Sequence, residues 1–146
     1  MDTTDLAARE AIRDLVARYA VAADRGRFDD VVALFTPDGV LELPDDRRAQ
    51  GRDGILAFLR GTGADLRAVT TVPTIRHHVT THEITLTTPT TATGRVYFFV
   101  VTERGPDHWG TYRDDCVSTP DGWRFAKRRV RIDGRAEGSW SEERKP

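Results

Sequence analysis

Residues 74–133 read TIRHHVTTHEITLTTPTTATGRVYFFVVTERGPDHWGTYRDDCVSTPDGWRFAKRRVRID, and this stretch decides the fold. Thr, Val, Ile and aromatic side chains dominate it, a composition that suits pleated, half-buried strands. Three interruptions carry turn chemistry: Thr88-Pro89-Thr90, Gly105-Pro106-Asp107 and Pro120-Asp121-Gly122. They predict four long strands near 74–87, 91–104, 108–118 and 123–133. Connections this short force antiparallel neighbours. Strands of this length twist together into a curved sheet.

Upstream the period changes. Leu6, Ile12, Leu15, Val16, Tyr19 and Ala23 recur at helical spacing, which predicts an amphipathic helix over 5–24. Asp2 to Asp5 offer N-caps, and Gly26 is a stop. Phe28, Val31, Val32, Leu34 and Phe35 mark a second short helix, with Asp29 and Asp30 in its first turn. Thr36-Pro37-Asp38-Gly39 reads as a turn before a short strand, Val40 to Leu43. A third helix is expected over 53–60, stopped by Gly61 to Gly63. Residues 135–146 are polar and are expected to fray. The fold class that follows is α+β, with helices over the concave side of an antiparallel sheet and an apolar pocket between them.

The whole chain sets bounds on function. Its 146 residues suit one domain, 1–134, with the tail 135–146 outside it. A formal net charge of −1 argues against nucleic acid as the partner. No run of about 18 apolar residues predicts a membrane span, and the charged, amphipathic N-terminus lacks an apolar signal core. The single Cys116 has no internal disulfide partner. A cytoplasmic location is the expectation. Gly-x-Gly-x-x-Gly, phosphate-loop and Gly-x-Ser-x-Gly motifs are absent, which argues against nucleotide, flavin and serine-hydrolase chemistry.

Several motifs in order carry a resemblance. Tyr19-x4-Asp24-x4-Asp29, then Leu34-Phe35-x2-Asp38-Gly39, is similar to the opening of SnoaL-like proteins in the nuclear transport factor 2-like superfamily. Arg76-His77-His78-Val79-Thr80-Thr81-His82 resembles that family's His-x3-Asn strand. Gly110-Thr111-Tyr112-x-Asp114 and Gly122-Trp123-Arg124-Phe125-x2-Arg128 resemble its last hairpin. The similarity spans 5–133. It implies three N-terminal helices and a curved sheet enclosing a cone-shaped pocket, the cystatin-like α+β barrel. The family holds scytalone dehydratase, bile-acid dehydratases, ketosteroid isomerases, polyketide cyclases and many non-enzymes, so fold alone does not assign activity.

The resemblance implies a pocket aspartate at Asp24 and a pocket histidine at His78. Strand parity agrees on the second: it puts Arg76, His78, Thr80, His82, Ile84 and Leu86 on one face and His77 on the other. Histidine is the side chain suited to proton transfer near neutral pH. Tyr19 and Tyr112 are either oxyanion donors or packing residues. His82 takes the family's Asn position as a neighbour in the pocket, and His78 and His82 lie about 13 Å apart along a strand, too far for one metal ion. Phe98 and Val96 are read as pocket wall, and Asp114 either as a compensating acid or as part of a solvated ion-pair cluster with Arg113 and Asp115. Dehydratase relatives carry a second histidine or an acid on the next strand, where this chain has Gly94 to Phe99. Arg128, Arg129 and Arg131 are read mainly as a charged outer face.

Two functions stay open at this point. One is a cofactor-independent, metal-free dehydratase, isomerase or cyclase for a small hydrophobic ring compound of polyketide, terpenoid or steroid type. The other is a non-catalytic ligand carrier or accessory protein, with an interaction module behind it. Val96, Phe98 and Val100 alternate with Tyr97, Phe99 and Val101, so apolar side chains line both faces of the sheet. That predicts a sheet-packed homo-oligomer, a dimer in the first instance and a trimer otherwise.

Overall fold

The computed structural model describes residues 1–69 and 74–141. Helix α1 (Thr3–Asp24) starts at Asp2, whose carboxylate accepts from the Asp5 N–H at 2.8 Å. It buries Ile12, Leu15, Val16 and Tyr19, and the chain leaves it through Gly26 at φ +67°. Helix α2 (Phe28–Val32) follows, then β1 (Phe35–Glu42), β2 (Arg48–Gln50) and α3 (Gly51–Val69). The four long strands are β3 (Ile75–Thr88), β4 (Thr91–Thr102), β5 (Gly105–Thr119) and β6 (Gly122–Arg135).

One six-stranded sheet runs β2-β1-β6-β5-β4-β3. All neighbours are antiparallel except β1 and β6, which pair in parallel. The helices lie against the concave face, and the core fills the space between. The α+β architecture expected from sequence is therefore present, with the sheet curved but not closed.

Three local expectations change. Thr36 to Gly39 do not reverse the chain; they loop out of β1 between the pairs Phe35–Phe125 and Val40–Lys127. Gly39 is needed there, because a Cβ would sit 2.9 Å from the Phe35 Cβ. The third helix runs through Gly61 and Gly63 rather than stopping at them. Its apolar stripe of Ile55, Leu59 and Leu66 continues past both glycines, and a helix interior tolerates each at about 1 kcal/mol. Over 135–141 the tail does not fray, and 142–146 lie outside the described residues. Ser139 and Trp140 are 2% and 5% exposed, and the Trp140 N–H donates to Asp107 Oδ1 at 2.9 Å.

Candidate functional site: two histidine–aspartate pairs on one cavity wall

Strand register arranges the concave face in rows. His77 pairs with Val100, Val100 with His108, and His108 with Arg135, so four strands supply one row. Phe98 and Ile132 flank Gly110 in the next row, and Val96, Tyr112 and Val130 stand in the row beyond. The first row closes one end of a cavity of about 470 Å³ between the sheet, α1 and α3. Apolar side chains such as Phe28, Leu43, Phe58 and Ile132 make most of its wall.

Three β-bulges aim this row. Val79 pairs with Phe98 but His82 with Val96, so β3 carries one extra residue at Thr80-Thr81. Val100 pairs with His108 but Val101 with Pro106, so Asp107 is an extra residue of β5. Ile132 pairs with Gly110 but Gly134 with Trp109, so Asp133 is an extra residue of β6. Each bulge reverses the alternation of inward and outward side chains on its strand.

The first bulge overturns the expectation for His78. Parity counted from Ile84 and Leu86 holds back to His82 and fails from Thr80 onward, where Thr80 itself lies on the outer face. His78 lies on the outer face, stacked on Phe99 with ring centroids 4.6 Å apart. His77 is the inward histidine. Its Nδ1 is 2.6 Å from Asp24 Oδ1, and its backbone N–H donates to both Asp24 oxygens at 3.0 and 3.1 Å. An ionised carboxylate only accepts, so His77 carries its proton on Nδ1 and presents Nε2 to the cavity. Asp24 ends α1 just behind the cavity wall.

The second bulge turns two consecutive residues inward. Asp107 and His108 are 5% and 7% exposed, with His108 Nδ1 2.6 Å from Asp107 Oδ2. Ser139 Oγ donates to the same oxygen at 2.8 Å. Burial tends to raise the Asp107 carboxyl, but hydrogen bonds from His108, Ser139 and Trp140 outweigh it and hold its pKa below the ordinary value. Burial lowers the His108 imidazole despite the pull of Asp107, which favours the neutral ring with a free Nε2 lone pair. His77 and His108 stand two strands apart, about 10 Å between backbones. Phe98 lies between them, its centroid 6.4 Å from the His77 ring and 6.1 Å from the His108 ring.

Tyr19, Tyr112 and Phe98 line the cavity, with Phe98 stacked on Tyr112 at 4.2 Å. Burial raises the pKa of both phenols, so they remain neutral donors. The other expected pocket residues do not line the cavity. Val96 is fully buried beneath it. His82 is partly buried deeper in the fold, with Nε2 lacking a hydrogen-bond partner and burial lowering its pKa. Asp114 is buried against Arg128, which donates Nε and Nη2 to its two oxygens at 2.7 Å. Arg128 therefore does not belong to an outer face. It is 0% exposed, with its guanidinium carbon 4.0 to 4.3 Å from the centroids of Tyr19, Tyr112 and Phe125. That pair fixes the two phenol rings from behind.

Sequence reasoning missed Asp107, His108, Arg135 and Trp140. Asp107 reads as the end of a turn, and alternation carries no mark of a bulge. The one available signal is an adjacent Asp and His at the start of a strand. Among the described residues no group of three or more His, Cys, Asp or Glu is arranged to hold a metal ion, and no helix is long and apolar enough to cross a membrane.

A family model described as a SnoaL-like domain matches residues 4–129. The chain belongs to the SnoaL-like family. Among solved structures, this SnoaL-like chain is similar to a candidate scytalone dehydratase of Novosphingobium aromaticivorans, with 25% identity and a TM-score of 0.81 over 93% of this chain and 91% of that one. It is also similar to a nuclear transport factor 2-like protein with a cystatin-like fold from the same organism: 30% identity, TM-score 0.76, over 93% and 94%. An uncharacterised protein of Mycobacterium tuberculosis is 27% identical, over 88% of this chain and 87% of its own length.

Proposed function

We propose that this SnoaL-like protein is a cofactor-independent dehydratase or isomerase for a small hydrophobic ring compound. The observation that carries the reading is the two histidine–aspartate pairs on either side of Phe98 at one end of an apolar cavity. The His77 Nε2 takes a proton from the carbon beside a ring carbonyl, and Asp24 stabilises the imidazolium that forms. The electron pair moves into the carbonyl to give an enolate, whose oxygen accepts a hydrogen bond from a neutral tyrosine hydroxyl. In a dehydratase the enolate then expels a β-hydroxyl. The imidazolium returns its proton to the departing oxygen, water leaves and the ring gains a C=C bond. In an isomerase the same proton returns to a different carbon. His108, neutral with Nε2 free, accepts from the substrate hydroxyl and orients it. The carrier reading draws on the absence of an acid or histidine near Val96 on β4, and His108 on β5 supplies an imidazole to the same cavity.

The test is a panel of cyclic β-hydroxyketones followed by the ultraviolet absorbance of the conjugated product, with a matching panel of unsaturated ketones for isomerisation. His77→Ala should lower turnover by about 10²-fold or more, while His78→Ala should leave it near the starting value. Equal turnover by both variants, or no turnover anywhere in the panels, would replace the enzyme reading with the carrier.

A further inference from the structure

The third bulge is explained by neither pair. Without the extra residue at Asp133, strict alternation from Ile132 would turn Gly134 inward and Arg135 outward. With it, Arg135 enters the cavity wall beside His108. The outer face has adapted to the same bulge. Trp109 lies across Gly134, where any Cβ would overlap the indole. Bulges that re-aim one side chain are found next to functional sites.

The guanidinium that arrives there is held and uncommitted. Arg135 Nε donates to Ser141 Oγ at 2.9 Å, and among the described residues nothing hydrogen-bonds the Nη1 and Nη2 end. No carboxylate pairs with Arg135 among the described residues. The other charged pair at the cavity mouth is closed on itself, with Arg47 Nε 2.5 Å from Asp45 Oδ2. The remaining wall is largely apolar, so among the described residues that line the cavity Arg135 is the charged side chain without an opposite charge paired to it. The paired end of a guanidinium matches the two oxygens of a carboxylate.

We infer that the cavity takes ring compounds bearing a carboxylate, and that Arg135 reads that group beside His108. The inference rests on the proposed site and narrows its substrate class. One strand spacing, about 5 Å, separates Arg135 from His108, so the acid group sits close to the reacting carbons and the ring lies over Phe98.

The test is binding rather than turnover, which separates it from the catalytic reading. The probes are 2-naphthoate and 2-naphthamide, alike in shape and different in charge, titrated calorimetrically into the full chain. The naphthoate should bind about tenfold more tightly than the amide, and added salt should narrow the gap. Arg135→Gln should abolish the gap and leave amide affinity unchanged. Arg47→Gln should preserve the gap, and so should His77→Ala. Equal affinities in the unsubstituted protein, a gap that survives Arg135→Gln, or a gap that disappears with Arg47 would each overturn the proposal. A gap with no turnover of any ring compound would sink the catalytic reading and leave this one standing.

Discussion

Arg128 and Asp114 are the clearest case of one residue's charge serving another's position. The pair is bidentate and sealed under two tyrosines that line the cavity. Asp114→Ala strands a buried guanidinium and should cost about 3–5 kcal/mol, read from chemical denaturation midpoints. Replacing both partners by apolar residues of similar volume should cost much less. Two histidines contribute to the acid limb of stability. Burial lowers the pKa of His82 and of His108 below the ordinary value near 6.5. The unfolded chain then binds protons more readily than the folded one, so stability is full above about pH 6.5 and falls as pH drops below it. Melting temperature should therefore decline between pH 7 and 5. The decline should be shallower in His108→Gln, and a slope unchanged by that substitution would contradict the assignment.

Elements were legible where a period was unbroken, and illegible where the chain breaks its own period. The α1 stripe and the four strands could be read because each repeats over many residues, and the hairpin turns because Pro and Gly mark them. The end of α3 could not, because Gly61 looks like a stop while the stripe that overrides it continues on the far side. Gly61 has nothing within 4 Å of an added Cβ, so Gly61→Ala should stabilise the protein by about 0.5–1 kcal/mol. Gly39→Ala should destabilise it, and paired thermal melts of the two variants check the contrast. The candidate site suffered most, since three bulges displace the inward residues by one position each. Asp24, Tyr19 and Tyr112 stand in motifs that carry the resemblance, and Phe98 keeps the alternation of β4, so their positions near the cavity are legible. His77 was passed over for its neighbour, and Asp107, His108 and Arg135 left no alternation to follow.

At the scale of the molecule, the convex side of the sheet carries the unused apolar surface. Tyr97, Phe99 and Trp109 are 40–48% exposed there, beside Arg95, Arg113 and Arg131. A patch of this kind is expected to close against a second copy. Sedimentation velocity at micromolar concentration should then give twice the 16.4 kDa chain mass, and Phe99→Arg should return it to one. A sheet buried on both sides would also hold its curvature, and with it the spacing of the two imidazoles. The extra residue at Thr80-Thr81 has a further consequence for how roles are carried between relatives. A relative without it would keep its inward imidazole one column away in a gap-free alignment. Matching histidine to histidine would then equate a ring facing the cavity with a ring facing solvent. Roles in this fold transfer by strand register, and a one-residue gap placed at the bulge decides whether two sites are recognised as the same.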